Sequence, residues 1–140
     1  MDHVVYLDFK SGELEKLLAG KKTMIIRGAS GRKMPYGRVN EGDTLYLLEN
    51  DGSGFIKAKA EVGFVLNSEK MDQGQSHALV KEYQDYLQLT EAQIKRWAGK
   101  RYLVLIAIIN PEELEPFTID KSAYGNMDDW LPVGDIQSIK

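Results

Sequence analysis

The chain contains no cysteine. This excludes disulfide staples, thiolate nucleophiles and cysteine metal sites, and it fits a reducing compartment. Histidine is nearly as scarce: His3 and His77 lie far apart and lack H-x-x-x-H spacing, so no metal site is expected from them. No serine sits in a G-x-S-x-G turn, which leaves triad hydrolysis without support. The GxxxxGK[ST] order of a phosphate-binding P-loop is also missing. No apolar run approaches the roughly 20 residues of a membrane span; the longest, Tyr102 to Ile109, reads as a buried strand. Met1 to Lys10 alternates charged and apolar residues instead of forming the core of a signal peptide. A soluble, cytoplasmic protein with no membrane partner and no cofactor is expected.

Against these absences, 43% hydrophobic and 28% charged residues in 140 suit one globular domain spanning residues 1–140. The net charge is −3 but unevenly spread. Lys21, Lys22, Arg27, Arg32, Lys33 and Arg38 fall in one stretch without an acid, so the rest of the chain holds nine negative charges in excess. One basic face on an acidic body attracts an anion locally.

The order of elements comes from local signals. Val4 to Phe9 is rich in β-formers. Ser11 is placed to cap a short helix bearing Leu14, Leu17 and Leu18, which ends at Gly20. Thr23 to Ile26 is the next strand, followed by a loop with Gly28, Gly31, Pro35 and Gly37. A strand over Thr44 to Leu48 turns at Asn50 to Gly54 into a partner strand bent at Gly63. Leu79, Val80, Tyr83, Tyr86 and Leu87 predict one amphipathic helix. Thr90 and Gln93 have capping-box spacing and open another, with Ile94 and Trp97, that stops at Gly99. Asn110 to Glu113 resembles the cap and first turn of a very short helix. Phe117 to Ile119 and Ile136 to Ile139 predict closing strands. Helices interrupting mostly antiparallel strands make an α+β fold, and the early strand–helix–strand unit suits a small, partly closed barrel.

The run Leu18-Ala19-Gly20-Lys21-Lys22-Thr23-Met24-Ile25-Ile26-Arg27 resembles the signature of the ASCH superfamily, with Gly20, Lys22 and Arg27 matching in residue and spacing. Glu41-Gly42-Asp43-Thr44-Leu45 resembles that family's turn into a strand. The resemblance implies a PUA-like β-barrel with flanking helices, and RNA or a nucleotide-like molecule as partner. A partial likeness extends to the small bacterial acetylcytidine amidohydrolases, whose proposed catalytic set is a lysine, a threonine and a later glutamate. Lys22 matches the lysine and Asp85 is a loose stand-in for the acid. Ile25 stands where those enzymes have threonine, and it can neither give nor take a proton. No residue is therefore assigned as catalytic.

Ligand-binding candidates are Lys22, Arg27, Arg32, Lys33, Tyr36, Arg38 and Trp130. Guanidinium forks and backbone N–H groups of the loop suit phosphates, and Tyr36 or Trp130 suits stacking on a base. Each has a plainer alternative: a solvated loop, an anchoring tyrosine, a core tryptophan. Regular alternation from Lys22 onward would point Lys22 and Arg27 to opposite faces. The acids Asp120, Asp128 and Asp129 lack EF-hand spacing and read as a solvated loop. Three functions follow: an RNA- or modified-nucleotide-binding domain using the basic loop beside the barrel pocket, a small amidohydrolase acting on an acylated nucleoside, or a protein-interaction domain using Asp120 to Trp130.

Overall fold

A computed structural model of the chain describes residues 1–124 and 129–140. Six strands form one sheet in the order β2-β5-β4-β3-β1-β6. They are β1 (Asp2–Leu7), β2 (Met24–Ala29), β3 (Thr44–Glu49), β4 (Ile56–Asn67), β5 (Tyr102–Phe117) and β6 (Trp130–Gly134). β1 and β3 are parallel, and the other pairings are antiparallel. Helix α1 (Glu13–Leu18) links β1 to β2, while α2 (Gln73–Glu82), α3 (Gln84–Leu87) and α4 (Glu91–Trp97) fill the connection from β4 to β5. This is the expected α+β half-barrel.

Alternation along the strands sorts the core into layers. Val5 and Leu7 of β1, Ile25 of β2, Leu45 and Leu47 of β3 and Ile106 of β5 pack together inside the curl with Leu14 and Leu17 of α1. The opposite face of β2 and β5, with Met24, Ile26, Leu103 and Leu105, is covered by Val80, Leu87 and Trp97 of the helices. Burying each such side chain contributes roughly 1.5–3 kcal/mol. Both clusters therefore hold the sheet to its helices through side chains that one strand sends to two sides.

Several local signals are realised as expected. Thr90 accepts from Gln93 N–H while the Gln93 side chain accepts from Thr90 N–H, a complete capping box. Gly63 is the extra residue of a bulge, for Val62 pairs with Ile108 and Phe64 with Ala107. Its missing Cβ matters, because one would stand 3.0 Å from Ile109 Cγ2.

Others are overruled. Ser11 does not cap α1; Gly12 occupies that position and Ser11 Oγ donates to the Asp8 carbonyl. The single helix expected around Leu79 to Leu87 is two, broken at Tyr83, and the first is capped by Asp72 and Gln75. Asn110 to Glu113 is not a helical turn but part of β5. Lys59 pairs with Glu112 and Glu61 with Ile109, so Asn110 and Pro111 bulge opposite one residue of β4. Asn110 takes φ 51, which asparagine tolerates, and Pro111 falls where the ladder asks for no N–H. The hydrogen bonds of β4 outweigh a local cap worth about 1 kcal/mol. Phe117 ends that same strand, and Ile136–Ser138 is a 3₁₀ turn whose first N–H is held by Asp2. No helix of the described residues is long and apolar enough to cross a membrane.

Candidate functional site

The sheet has two edges, β2 and β6, and the curl brings them close. Arg27, near the end of β2, spans the seam. Its terminal nitrogens donate to the carbonyls of Ile26 (2.8 Å) and Tyr6 of β1 (2.7 Å). Its Nε stands 3.2 Å from Oδ2 of Asp129, the residue before β6. The guanidinium also lies 5.7 Å from the ring centres of both Trp97 and Trp130. With 6% of its surface exposed, Arg27 is a fixed cation.

Beside this seam opens a cavity of about 360 Å³. Tyr6 and Asp8 reach it from the end of β1, Glu13 from α1, Asn50 from the β3–β4 turn, and Gln93, Arg96 and Trp97 from α4. Lys121 and Asp129 close it from the segment after β5. The Arg96 guanidinium lies over Trp97, 4.4 Å from its ring centre, and Lys121 Nζ donates to the Tyr6 hydroxyl at 2.6 Å. Three acids, three cations, two amides and two aromatic rings thus share one small space.

Behind the wall is a buried ion pair. Lys22 Nζ lies 3.2 Å from Glu13 Oε2 and donates to the Leu87 carbonyl. The two residues are only 1% and 3% exposed. Glu13 Oε1 accepts from Asp8 N–H at 3.1 Å, and Gln93 Nε2 is 3.5 Å from Oε2. Burial lowers the pKa of Lys22, with the Glu13 charge opposing and Arg27 adding to the fall. Lys22 precedes β2 instead of lying in it, so strand alternation does not govern it. It thereby approaches the same site as Arg27, contrary to the expectation of opposite faces.

The remaining candidates separate from this site. Arg32, Lys33 and Arg38 are exposed on the loop after β2 and do not line the cavity. Tyr36 anchors that loop, donating to the Ser68 carbonyl and packing edge-on against Tyr102. Trp130 is 2% exposed in the core, where Nε1–H donates to His3 Nδ1. His3 then presents Nε2–H to Asp43 at 2.9 Å, a buried chain tying β1, β3 and β6. No face of Trp130 is open to a base. Asp85 is exposed on α3, and the acid beside Lys22 is Glu13. Asp129 pairs with Arg27 and Arg96, Asp120 accepts from Ser122 N–H, and Asp128 lies outside the described residues.

No protein-family model and no curated protein sequence matches the chain. Solved structures do. The ASCH protein of Zymomonas mobilis, ZmASCH, superposes on 98% of this chain and 91% of its own with a TM-score of 0.68, at 14% identity. Two point mutants of ZmASCH give 0.69 and 0.70 at the same identity, over 93% and 91% of their chains. The chain has the ASCH fold. At this identity the likeness is one of fold, and site chemistry must come from the residues present. In this ASCH barrel Ile25 is fully buried inside the curl, on the same side of β2 as Arg27. Where the amidohydrolases have a reactive polar group, this protein has core.

The lining of the cavity also contains residues that carry no site motif in the sequence: Tyr6, Glu13, Asn50, Gln93, Arg96 and Lys121. They come from five separate segments. Tyr6, Asn50 and Gln93 carried local signals, but for a strand, a hairpin turn and a helix cap and not for a site.

Proposed function

We propose that this protein binds RNA or a nucleotide-like molecule, and that recognition takes place in the cavity at the barrel seam and not on the basic loop. One observation carries the reading: a fixed arginine, a stacked Arg96–Trp97 pair, amides and carboxylates converge on about 360 Å³. Sites for small molecules begin at about 300 Å³, so this space suits one nucleoside or nucleotide. Mixed donors and acceptors suit the edges of a base and a ribose, and cations suit a phosphate. The loop carrying Arg32, Lys33 and Arg38 would add sequence-independent attraction to an RNA backbone.

The test is fluorescence polarisation with short single-stranded RNAs and mononucleotides at two salt concentrations. Arg96→Ala or Lys121→Ala is expected to cost about 1–3 kcal/mol. Arg32→Ala should mainly reduce the salt slope, by roughly one unit. Absence of binding to any of these ligands at low salt would end the proposal.

A hydrolytic reading has one specific observation in its favour, the Lys22–Glu13 pair at the cavity wall. Glu13 would then take the acid's place from Asp85. With Ile25 in the core, little hydrolysis of acetylcytidine is expected, since a missing proton-transfer group commonly costs about 10²–10⁴-fold. Turnover that disappears in Glu13→Gln would promote this reading over simple binding.

A further inference from the structure

Arg27 and Arg96 converge on one oxygen. Asp129 Oδ2 lies 3.2 Å from Arg27 Nε and 3.6 Å from an Arg96 terminal nitrogen. The fit is incomplete: Arg27 Nε is buried and makes no hydrogen bond among the described residues, so the carboxylate supplies charge without the right direction. The other two nitrogens of Arg27 are already committed to backbone carbonyls, so the guanidinium cannot turn to improve the contact.

Two guanidiniums facing one point require an anion between them, and Asp129 offers only a single charge. Its backbone is fastened, because its carbonyl accepts from Tyr6 N–H at 3.0 Å. Its side chain is 38% exposed and that of Arg96 is 58% exposed, so both can rotate without disturbing the core. An ion pair this open to water is weak and exchanges easily. A phosphate monoester carries up to two charges on three outward oxygens and can meet both guanidiniums at once.

We propose that the space between Arg27 and Arg96 is a subsite for a phosphate monoester, and that Asp129 is an internal stand-in displaced when the phosphate binds. The inference rests on the binding function proposed above for the identity of the ligand, and it sharpens that ligand to one with a terminal phosphate. A mononucleotide and a phosphorylated RNA end share this chemistry. The rigid Arg27 loses little entropy on binding, and Arg96, already laid on Trp97, loses little more.

Calorimetry on the full chain would use inorganic phosphate, a ribonucleoside 5′-monophosphate, the matching nucleoside, and one RNA oligonucleotide with and without a 5′-phosphate. Asp129→Asn is expected to tighten phosphate and monophosphate binding by roughly tenfold, well beyond any change in affinity for the matching nucleoside. Arg96→Ala, at an exposed position, should weaken both phosphorylated ligands by roughly tenfold. Preference for the monophosphate alone would assign the subsite to mononucleotides, and preference for the 5′-phosphorylated oligonucleotide would assign it to RNA ends. Asp129→Asn that melts like the parent yet fails to tighten phosphate overturns the inference. Should that variant not fold, phosphate affinity unaltered by Arg96→Ala overturns it instead. RNA binding that depends on Lys121 but ignores both the terminal phosphate and Asp129→Asn would sink the subsite and leave the binding function standing. Phosphate binding tightened by Asp129→Asn, with no affinity for nucleoside, nucleotide or RNA, would sink the binding function and keep the subsite.

Discussion

Replacing Glu13 by glutamine keeps the shape of the side chain and removes one buried charge. Lys22 Nζ then retains the Leu87 carbonyl and an amide oxygen but no counter-ion, with 1% of its surface exposed. At 3.2 Å and an effective dielectric of about 20, the lost attraction is about 5 kcal/mol. Breaking a buried pair from one side costs about 3–5 kcal/mol, and since the amide oxygen still accepts hydrogen bonds the loss should be near 3. Urea unfolding at pH 7 measures it.

The pH dependence gives a second handle on the same substitution. Lys22 already titrates below 10.5 because it is buried, and without the Glu13 charge its value falls further. Unfolded Lys22 keeps its proton up to about 10.5, so over the interval below that value the unfolded state binds more protons and stability rises with pH. The loss in Glu13→Gln should be complete below both folded-state values and narrow as pH climbs through them. Glu13→Leu combined with Lys22→Met should return to within about 1 kcal/mol of the parent, because the desolvation cost vanishes with the pair. A loss under about 1 kcal/mol at pH 7, or a double variant as unstable as Glu13→Gln alone, would refute the assignment of a buried ion pair.

Two further outcomes test the frame around the cavity. Burial pushes the Asp43 carboxyl up, but hydrogen bonds from Asn40 N–H and His3 and the N-terminal charge outweigh it and leave its pKa below 3.8. Its contribution is therefore present above pH 3.8 and lost as pH falls through the folded-state value, so Asp43→Asn should cost about 1–3 kcal/mol at pH 7 and converge on the parent in acid. Gly28→Ala would set a Cβ 2.6 Å from Leu103 Cδ2 and 3.2 Å from the Tyr102 carbonyl. It should lower stability by about 1–3 kcal/mol in thermal melting, and an unchanged midpoint would show that β2 and β5 are looser than described.

What was legible in advance came from interactions that close within a few residues. Thr90 and Gln93 are three positions apart, so their capping box is complete before any other element arrives. The Asn50 to Gly54 turn likewise acts through backbone preferences of its own residues, with Gly52 and Gly54 at positive φ. Asn110 to Glu113 shows the boundary of such reasoning. The local cap signal is real, but β4, some 50 residues earlier in the chain, supplies a ladder that the isolated segment could not anticipate. The resemblance centred on Gly20, Lys22 and Arg27 indicated the fold, while the chemistry around those residues depends on partners far away in sequence. Lys22 meets Glu13 and Leu87, and Arg27 meets Tyr6 and Asp129, only after the sheet has curled and its edges have approached. An ion pair or a guanidinium bridge has no sequence periodicity to announce it. Its strength depends on burial and on distances of 3–4 Å between side chains from separate segments, and only the closed tertiary structure sets those.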